Sequence, residues 1–197
     1  INAVYKMAKV IEAIRTLEPT HHPVLGDGIL ELTDIKSAPY PGASVVPEYC
    51  RATYDRRLLV GETKESVLEP IQELLDKLMA EDPQLKAKVS YAVGKELCYT
   101  GNEITGERFF PGWLYDEKDE FVQDVKKELE GMGYTPEITQ YNFCTNGSHY
   151  AGEAGIKTFG LGPSKENLAH TVNEYIEIDQ LTKVTDCYYG VMKALLK

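Results

Sequence analysis

The sequence predicts an α/β protein in two parts. Over residues 1–95, helical and strand periodicities follow one another in the order α-β-β-α-β, which is one strand short of the split β-α-β-β-α-β arrangement. Over residues 96–197, short apolar segments alternate with helical ones, which favours a second α/β domain. We therefore expect a domain boundary near residue 95 and a first domain whose leading strand is missing from this sequence.

Two amphipathic helices are predicted in the first part. Apolar residues recur every three or four positions from Val4 to Leu17, and Pro19 ends that pattern. Residues 64–80 show the same spacing, although Pro70 must lie in the first turns of this helix or kink it. Both apolar stripes are interpreted as faces that pack into a core.

Three strands are predicted around these helices. The first begins at Gly28, the second covers residues 45–59, and the third covers residues 89–93. The two-residue period of the second strand separates two sets of side chains, Cys50, Ala52 and Tyr54 on one face and Arg51, Thr53, Asp55 and Arg57 on the other. We expect the first set to pack and the second to face solvent or a ligand.

The second part is expected to begin with a turn-rich return at residues 99–113. Asp116 is predicted to cap a helix, and short strands are predicted at residues 137–141 and just before Gly160. A closing helix from about Asp179 is expected to cover one side of the resulting sheet. Its predicted inner face consists of Leu181, Val184, Tyr188, Val191 and Leu195.

The composition indicates a folded globular protein and argues against two classes of partner. Hydrophobic residues make up 43% of the chain and charged residues 26%, which is ordinary for such proteins. A net charge of -10, with no basic run longer than two residues, argues against a nucleic-acid partner. No apolar stretch approaches the length of a bilayer-spanning helix, so no membrane partner is expected.

The cysteines and the first residue bear on where this chain occurs. The four cysteines lie more than forty residues apart without a CxxC pair, so neither a compact zinc knuckle nor a disulfide framework is indicated. A reducing cytoplasm is the predicted location. Because Ile1 already lies in a helical pattern and no initiating methionine is present, the chain is interpreted as a fragment of a longer protein.

The later part of the chain carries four short motifs in a defined order. They are Cys144-Thr145-Asn146-Gly147, Gly155-Ile156, Phe159-Gly160-Leu161-Gly162-Pro163 and Ala169-His170-Thr171-Val172-Asn173-Glu174. Together they resemble the C-terminal signature of the M20 metallopeptidase and amidohydrolase family, and the Thr-Asn-Gly segment resembles its YgeY-like branch. The resemblance covers essentially the whole chain, which corresponds to the C-terminal portion of such an enzyme.

The resemblance implies both a fold and a chemistry. The implied fold is a ferredoxin-like α+β lid, βαββαβ without its first strand, followed by the C-terminal part of an α/β zinc-peptidase-like catalytic domain. The implied activity is that of a dinuclear metal-dependent hydrolase that cleaves a peptide or amide bond in a small peptide or N-acyl amino-acid-like substrate. The implied cofactor is a pair of Zn²⁺ ions, with Co²⁺ or Mn²⁺ as alternatives, and the implied assembly is a homodimer formed through the lid.

His170 is the candidate metal ligand, because the histidine of the family's AHxxNE-like segment binds the two-metal centre. From spacing alone, a lone loop histidine is more often a surface or capping residue, since one imidazole cannot complete a site of three or four ligands. In the family, the remaining ligands and the general base come from the N-terminal region, which has no counterpart in this chain. No catalytic residue is assigned, and the chain alone is expected to be inactive.

Arg57, Thr145, Asn146 and Gly147 are the candidate substrate-binding residues. The planar fork of an arginine suits a substrate carboxylate, and Arg57 matches the family's arginine near the end of the second lid strand; a surface ion pair is the alternative. The other three match a loop whose backbone amides approach a ligand, with a plain turn as the alternative. The chain departs from the family where Ser44 replaces an asparagine and where Asn146 replaces the aspartate of many members.

A second class of function stays open at this stage. The chain would then be a non-catalytic dimerisation or interaction module, whose long strands present unpaired edges to a partner. A longer reading frame with upstream metal-binding motifs would favour the enzyme, whereas a natural start near Ile1 would favour the module.

Overall fold

The structure is a computed structural model and describes residues 1–196. Helix α1 covers Ala3–Ile14 and confirms the first predicted helix. The carboxamide oxygen of Asn2 caps this helix by accepting a hydrogen bond from the backbone N–H of Val4 at 3.0 Å. Ile14 is buried on its inner face, as the apolar stripe predicts, and Val10, which is not part of that stripe, is buried as well. The helix therefore begins where its cap residue stands and turns the expected face inward.

Helix α2 covers Lys64–Glu81 and confirms the second predicted helix. Thr63 and Ser66 form a capping box, in which each side-chain oxygen accepts a hydrogen bond from the backbone N–H of the other residue. Pro70 lies inside the helix, where it lacks the N–H that an interior residue would donate. The cap at one end and the burial of the apolar face offset the loss of this backbone hydrogen bond.

The two helices pack against each other around one apolar cluster. At its margin, a hydrogen bond from the Lys6 ammonium holds the pKa of the Asp82 carboxyl below its ordinary value of 3.8. Fully burying an aliphatic side chain contributes about 1.5–3 kcal/mol, so the cluster is the main source of stability in this part of the chain. Its buried members are Val10, Ile14, Ile71, Leu75 and Leu85.

The strands of the described residues form three separate antiparallel ladders. They are β1 (His21–His22) with β2 (Gly26–Asp27), β3 (Ile29–Ala38) with β4 (Tyr49–Arg57), and β5 (Val93–Leu97) with β6 (Glu103–Glu107). In the longest ladder, Ile29 lies opposite Arg57 and Ala38 opposite Tyr49, and the register shifts beside Thr33 as in a β-bulge.

The predicted second strand is too long at its start. Residues 45–48 lie outside β4, and Val45 and Val46 are exposed. The Val45 N–H donates to the Gly42 carbonyl in a turn, and Pro47 has no N–H to give to a ladder. Alternation in the sequence is therefore not enough where the backbone donors are used elsewhere or missing.

The predicted third strand lies later in the chain than expected. Residues 89–92 precede β5, and the connection at residues 99–102 is the tip of the β5–β6 hairpin instead of a return into a second domain. The Cys98 N–H donates to the Asn102 carbonyl there, and Gly101 adopts a φ of +85°. The ferredoxin-like lid is not confirmed, because no strand among residues 1–196 joins the three ladders into one sheet.

The chain divides into two compact units, the first Ile1–Gly112 and the second beginning at Trp113. The β5–β6 hairpin belongs to the first unit. At its end Gly112 lies against the backbone of Leu59, where an added Cβ would come within 2.6 Å of the Leu59 carbonyl carbon. The division into lid and catalytic domains near residue 95 stays a prediction.

The second unit is built on two helices that pack against each other. Helix α3 covers Glu120–Gly131 and helix α4 covers Ile178–Leu195. A π-helical turn at Ser148–Glu153 and a 3-10 turn at Glu166–Leu168 lie between them. The apolar contact between the helices is formed by Val125, Leu129 and Ala194.

Three local predictions for the second unit are wrong. The described residues from Trp113 onward contain no strand, so neither residues 137–141 nor the segment before Gly160 forms one. Asp116 does not cap α3, because its carboxylate accepts the Lys118 N–H and the cap position is Asp119. A short apolar run forms a strand only where a neighbouring strand pairs with it.

Helix α4 buries only part of the predicted face: Val184 is buried and Val191 packs against the cluster between α3 and α4, but the buried side extends to Gly190 and Ala194. The helix packs on α3 and not on a sheet. Met132 lies so close to Gly190 that a Cβ added there would be 2.6 Å from the Met132 sulfur. The inward face is therefore set by α3 and the residues that follow it. The predicted core residues left 45%, 43% and 42% exposed are Leu181, Tyr188 and Leu195.

Candidate functional site

The segment that carries Thr145, Asn146 and Gly147 folds as a tight turn, the Thr145 turn (residues 144–149). The Thr145 hydroxyl accepts a hydrogen bond from the Gly147 N–H at 3.1 Å, and the Thr145 carbonyl accepts one from the Ser148 N–H at 3.1 Å. The Asn146 carbonyl accepts the His149 N–H at 3.1 Å. The backbone is thus an ordered turn, and contact of its side chains with a substrate stays a prediction.

The Thr145 turn leaves a defined set of polar groups for a ligand. The Gly147 N–H is already used inside the turn, so it is a poor candidate donor to a substrate. The Thr145 hydroxyl accepts that bond and keeps its own proton to donate. The Asn146 side chain is exposed and offers both a carbonyl oxygen and an amino group. A substrate at this turn would meet these two side chains before the backbone of Gly147.

A π-helical turn, Ser148–Glu153, follows directly. The Nδ1 atom of His149 lies 2.7 Å from a carboxylate oxygen of Glu153, which orients the imidazole ring. Ser148 is buried, and its hydroxyl lies 3.5 Å from the sulfur of Cys144. Because π-helical turns are rare and often occur at functional sites, this geometry agrees with a functional role for the preceding turn.

The glycine-rich segment at residues 157–163, the Gly160 loop, is held from two sides. The ring of Tyr141 contacts Gly160 so closely that any Cβ would clash with it, which requires glycine. The Tyr188 hydroxyl donates to the Leu161 carbonyl at 3.0 Å. Burial raises the pKa of the Tyr141 phenol, and the Glu166 carboxylate raises it further, so this phenol is neutral at neutral pH.

One hydrogen bond connects the segment just before the Thr145 turn with the chain that leads to His170. The rings of Tyr141 and Phe143 stack with their centroids 4.7 Å apart just before the turn. The Asn142 N–H donates to the Glu166 carboxylate at 2.9 Å. Glu166 begins the short 3-10 turn that precedes His170. The structure therefore anchors two motifs to each other that are separated in the sequence.

His170 lies on an exposed turn, as predicted, although no strand precedes it between Trp113 and His170. The φ angles of His170 and Asn173, 60° and 61°, fall in the left-handed region that residues other than glycine adopt at a cost. The Glu174 carboxylate accepts the His170 N–H at 3.1 Å, and the Thr171 hydroxyl donates to the Leu168 carbonyl at 2.8 Å. These bonds hold the backbone that carries the imidazole in a constrained conformation.

The described residues do not form a metal centre by themselves. Among residues 1–196, no group of three or more His, Cys, Asp or Glu side chains is placed to hold an ion. His170 offers one imidazole, while the Glu174 carboxylate is engaged by the backbone of the same turn. The arrangement of residues 1–196 therefore supports no reaction step through a bound ion, and the role of His170 as a metal ligand stays a prediction.

Arg57 lies at the end of β4 in the first unit, on the face predicted for it. Its guanidinium donates to the Asp55 carboxylate at 2.8 Å, and its side chain is 40% exposed. The neighbouring Arg56 forms an ion pair with Glu62, where its own side chain is 22% exposed. The surface ion pair considered for Arg57 is present, so a substrate carboxylate would share or replace Asp55 as its partner.

Sequence reasoning missed the aromatic residues that hold these segments in place. Tyr141 packs on Gly160, and Trp113 packs on Gly147. Both glycines are recognisable in the sequence as turn residues. The ring that each one admits lies nineteen or more positions away, and no periodicity or motif connects a glycine with so distant a partner. The signal becomes visible only when the chain is folded.

A family model described as peptidase family M20/M25/M40 matches residues 10–194 of the chain. This match confirms the resemblance that the ordered motifs indicate. It covers most of both compact units, so the likeness is not confined to the segment around His170.

Two curated proteins are similar along most of the chain. The chain is 32% identical over 176 residues to the uncharacterized protein YgeY of Escherichia coli strain K12, an alignment that covers 88% of the chain and 42% of YgeY. It is 28% identical over 197 residues to the N-formyl-4-amino-5-aminomethyl-2-methylpyrimidine deformylase of Halalkalibacterium halodurans, covering 93% of the chain and 44% of the deformylase. The chain thus spans less than half the length of these relatives.

A solved structure shares the fold. The crystal structure of aminopeptidase PepT from Bacillus cereus superposes with a TM-score of 0.63 at 18% identity, covering 100% of this chain and 46% of PepT. At this identity the likeness concerns the fold, which is mixed α/β and similar to that of M20 peptidases.

Proposed function

The chain belongs to peptidase family M20/M25/M40, and from that membership we propose that it is part of a dinuclear metal-dependent hydrolase. The proposed reaction is cleavage of a peptide or amide bond in a small substrate that bears a carboxylate, such as a short peptide or an N-acyl amino acid. The family match along residues 10–194 carries this proposal. The similarity to a protein named as a deformylase of an N-formyl compound supports the amide-bond class.

His170 is the proposed metal ligand of that enzyme. An imidazole nitrogen suits Zn²⁺, which is the proposed ion, and it also binds Co²⁺ or Mn²⁺. The exposed, hydrogen-bonded turn that carries His170 supports this role, since a ligand has to be accessible and held in one orientation. The remaining ligands and the general base would come from residues other than the described ones, because no group of three or more candidate ligands forms among residues 1–196.

Arg57 and the Thr145 turn are each proposed to contact the substrate. Arg57 would grip the substrate carboxylate through the fork of its guanidinium, which offers two parallel charge-assisted hydrogen bonds. Thr145 and Asn146 would hydrogen-bond the polar groups of the substrate from the Thr145 turn. Gly147 would serve chiefly by keeping that turn tight, since its N–H is engaged by Thr145.

Replacing Arg57 with lysine in the complete enzyme should lower kcat/KM by roughly 10- to 100-fold, mainly through KM. Lysine keeps the charge but loses the fork, and hydrogen bonds to charged groups are worth about 1.5–3 kcal/mol. Steady-state kinetics on an N-acyl amino acid measures the change. Arg51→Lys is the matched control, because Arg51 is exposed earlier on the same strand. Kinetics unchanged by Arg57→Lys would remove this residue from the site.

Paired titrations with Zn²⁺ test the proposed function. The complete enzyme is expected to bind two ions tightly and to hydrolyse short peptides or N-acyl amino acids, and a chelator should abolish that activity. The 197-residue chain alone is expected to bind Zn²⁺ weakly and to hydrolyse nothing, because it supplies one ligand. Tight binding of two ions by the chain alone would contradict the ligand count, and a complete enzyme inactive on all amides would contradict the function.

We also propose that the enzyme is a homodimer formed through the first unit, which is the surface that the non-catalytic alternative would use too. Among the described residues, β3 and β4 pair only with each other, so each leaves one edge free, and Ile35 on β3 is exposed. Sedimentation should show a dimer that Ile35→Lys weakens, whereas Ile178→Lys, an exposed position of α4 in the second unit, should not. A strictly monomeric complete enzyme at high concentration would rule out the dimer.

A cytoplasmic location is proposed from the state of the cysteines. All four are free thiols in the structure, as expected in a reducing compartment. Separately, no helix described within residues 1–196 combines the length and apolar character needed to cross a membrane.

A further inference from the structure

We infer that Trp113 is a positioning residue of the substrate site, which acts by packing its indole on Gly147 and so fixing the Thr145 turn. The inference rests on the proposed role of that turn in substrate binding. It assigns a function to the single tryptophan of the chain, which neither the motifs nor the metal chemistry require.

The contact between Trp113 and Gly147 is so close that only glycine fits at position 147. A Cβ added at Gly147 would lie 2.7 Å from Cζ2, 2.8 Å from Cε2 and 2.9 Å from Nε1 of the indole. The backbone of Gly147 does not itself demand glycine, because its φ of -54° and ψ of -28° suit any residue. Glycine is needed at this position solely because the tryptophan ring occupies the space of a side chain.

The indole is itself held by a chain of ring contacts. Trp113 meets Tyr115 edge to face with centroids 6.0 Å apart, and Tyr115 meets Phe121 in the same way at 4.9 Å. The Tyr115 hydroxyl donates to the Ile156 carbonyl at 2.8 Å, and Phe121 is buried in the first turn of α3. These rigid aromatic rings therefore fix the position of the Thr145 turn relative to helix α3.

A displacement of Gly147 would also move the Thr145 and Asn146 side chains that are proposed to bind the substrate. The Gly147 N–H donates to the Thr145 hydroxyl at 3.1 Å and so orients the hydroxyl proton that remains for a ligand. The next two N–H groups bond back to Thr145 and Asn146, which places both side chains relative to the same backbone. Because misplacement by about 1 Å can reduce activity about 100-fold, a rigid support for the turn matters to binding.

A double-mutant cycle tests the inference in the complete enzyme. Gly147→Ala and Trp113→Ala should each raise KM by roughly 10- to 100-fold with a smaller effect on kcat. In the Trp113→Ala background, Gly147→Ala should add nothing, because the ring that the methyl group would strike is gone. Trp113→Phe retains an aromatic ring and should recover part of the loss, which also covers the case in which Trp113→Ala fails to fold.

Gly190→Ala is the matched structural control. An added methyl at Gly190 would meet Met132 as closely as one at Gly147 meets the indole, but it lies on α4 outside the Thr145 turn. It should lower the melting temperature and leave KM unchanged. Equal KM effects from Gly190→Ala and Gly147→Ala would overturn the inference, as would additive effects in the cycle.

Hydrogen exchange separates the inference from the proposed function. In the 197-residue chain, Trp113→Phe and Trp113→Ala should speed exchange of the N–H groups of Gly147, Ser148 and His149, which hold the turn. Unchanged exchange would overturn the positioning role. Faster exchange in an enzyme that hydrolyses no amide would leave the positioning role in place and refute the proposed function, and faster exchange with unchanged KM would overturn the link to substrate.

Discussion

Replacing His170 with alanine in the complete enzyme is expected to abolish hydrolysis and to weaken metal binding by more than about 100-fold. Loss of a residue that merely supports a ligand already costs roughly 10- to 100-fold in metal affinity, so loss of the ligand itself should exceed that range. The replacement removes the imidazole while alanine can still form the N–H bond to Glu174 that holds the turn. Zinc titration by calorimetry and an amide-hydrolysis assay measure the two effects.

His21→Ala is the control for the His170 experiment. His21 is also exposed and also contacts a carboxylate, that of Asp27 at 2.7 Å, but it lies on the short β1 strand of the first unit. It should leave both metal affinity and hydrolysis unchanged. Unaltered metal binding in His170→Ala would contradict the ligand assignment, even if hydrolysis were lost. It would favour a surface role for this histidine.

Replacing Leu75 with alanine is expected to lower the free energy of unfolding by about 2–5 kcal/mol. Leu75 is 3% exposed and lies in the cluster between α1 and α2, so its removal leaves a cavity lined by side chains on two helices. Urea unfolding of the 197-residue chain, followed by circular dichroism, measures the change. Because native domains are stable by only about 5–15 kcal/mol, a loss of this size should be plain in the transition midpoint.

Leu97→Ala controls for the loss of a leucine as such. Leu97 is 76% exposed on β5, so its truncation should change the free energy of unfolding by less than about 0.5 kcal/mol. Equal losses from the two variants would mean that α1 and α2 do not enclose a core around Leu75. A small loss from Leu75→Ala alone would mean that the surrounding side chains close the cavity.

Helices were the elements that local sequence could predict. The apolar spacing of α1 and α2 is a property of contiguous residues, and a helix satisfies its own backbone hydrogen bonds. Strands need a partner, which explains why residues 45–48, 89–92 and 137–141 alternate or run apolar without forming one. The inward face of α4 was predicted only in part for a related reason, since it depends on whether α3 or a sheet covers the helix.

The candidate site divides in the same way. The ordered motifs around Asn146 and His170 identify the family without any coordinates, and the family match confirms them. The motifs do not indicate that the Glu166 carboxylate binds the Asn142 N–H, nor that Asp55 already partners Arg57. Such contacts join groups whose positions are set by the packing of whole segments.

What the sequence by itself determined is the family, the two helices of the first core and the identity of the residues proposed to meet metal and substrate. The tertiary structure decided which strands pair, which face of α4 is buried and why residue 147 is glycine. The reason is the range of the forces involved. Helix periodicity and motif chemistry depend on residues that are neighbours in the sequence. The space left for a side chain at Gly147 depends on Trp113, which lies beside it only in the folded chain.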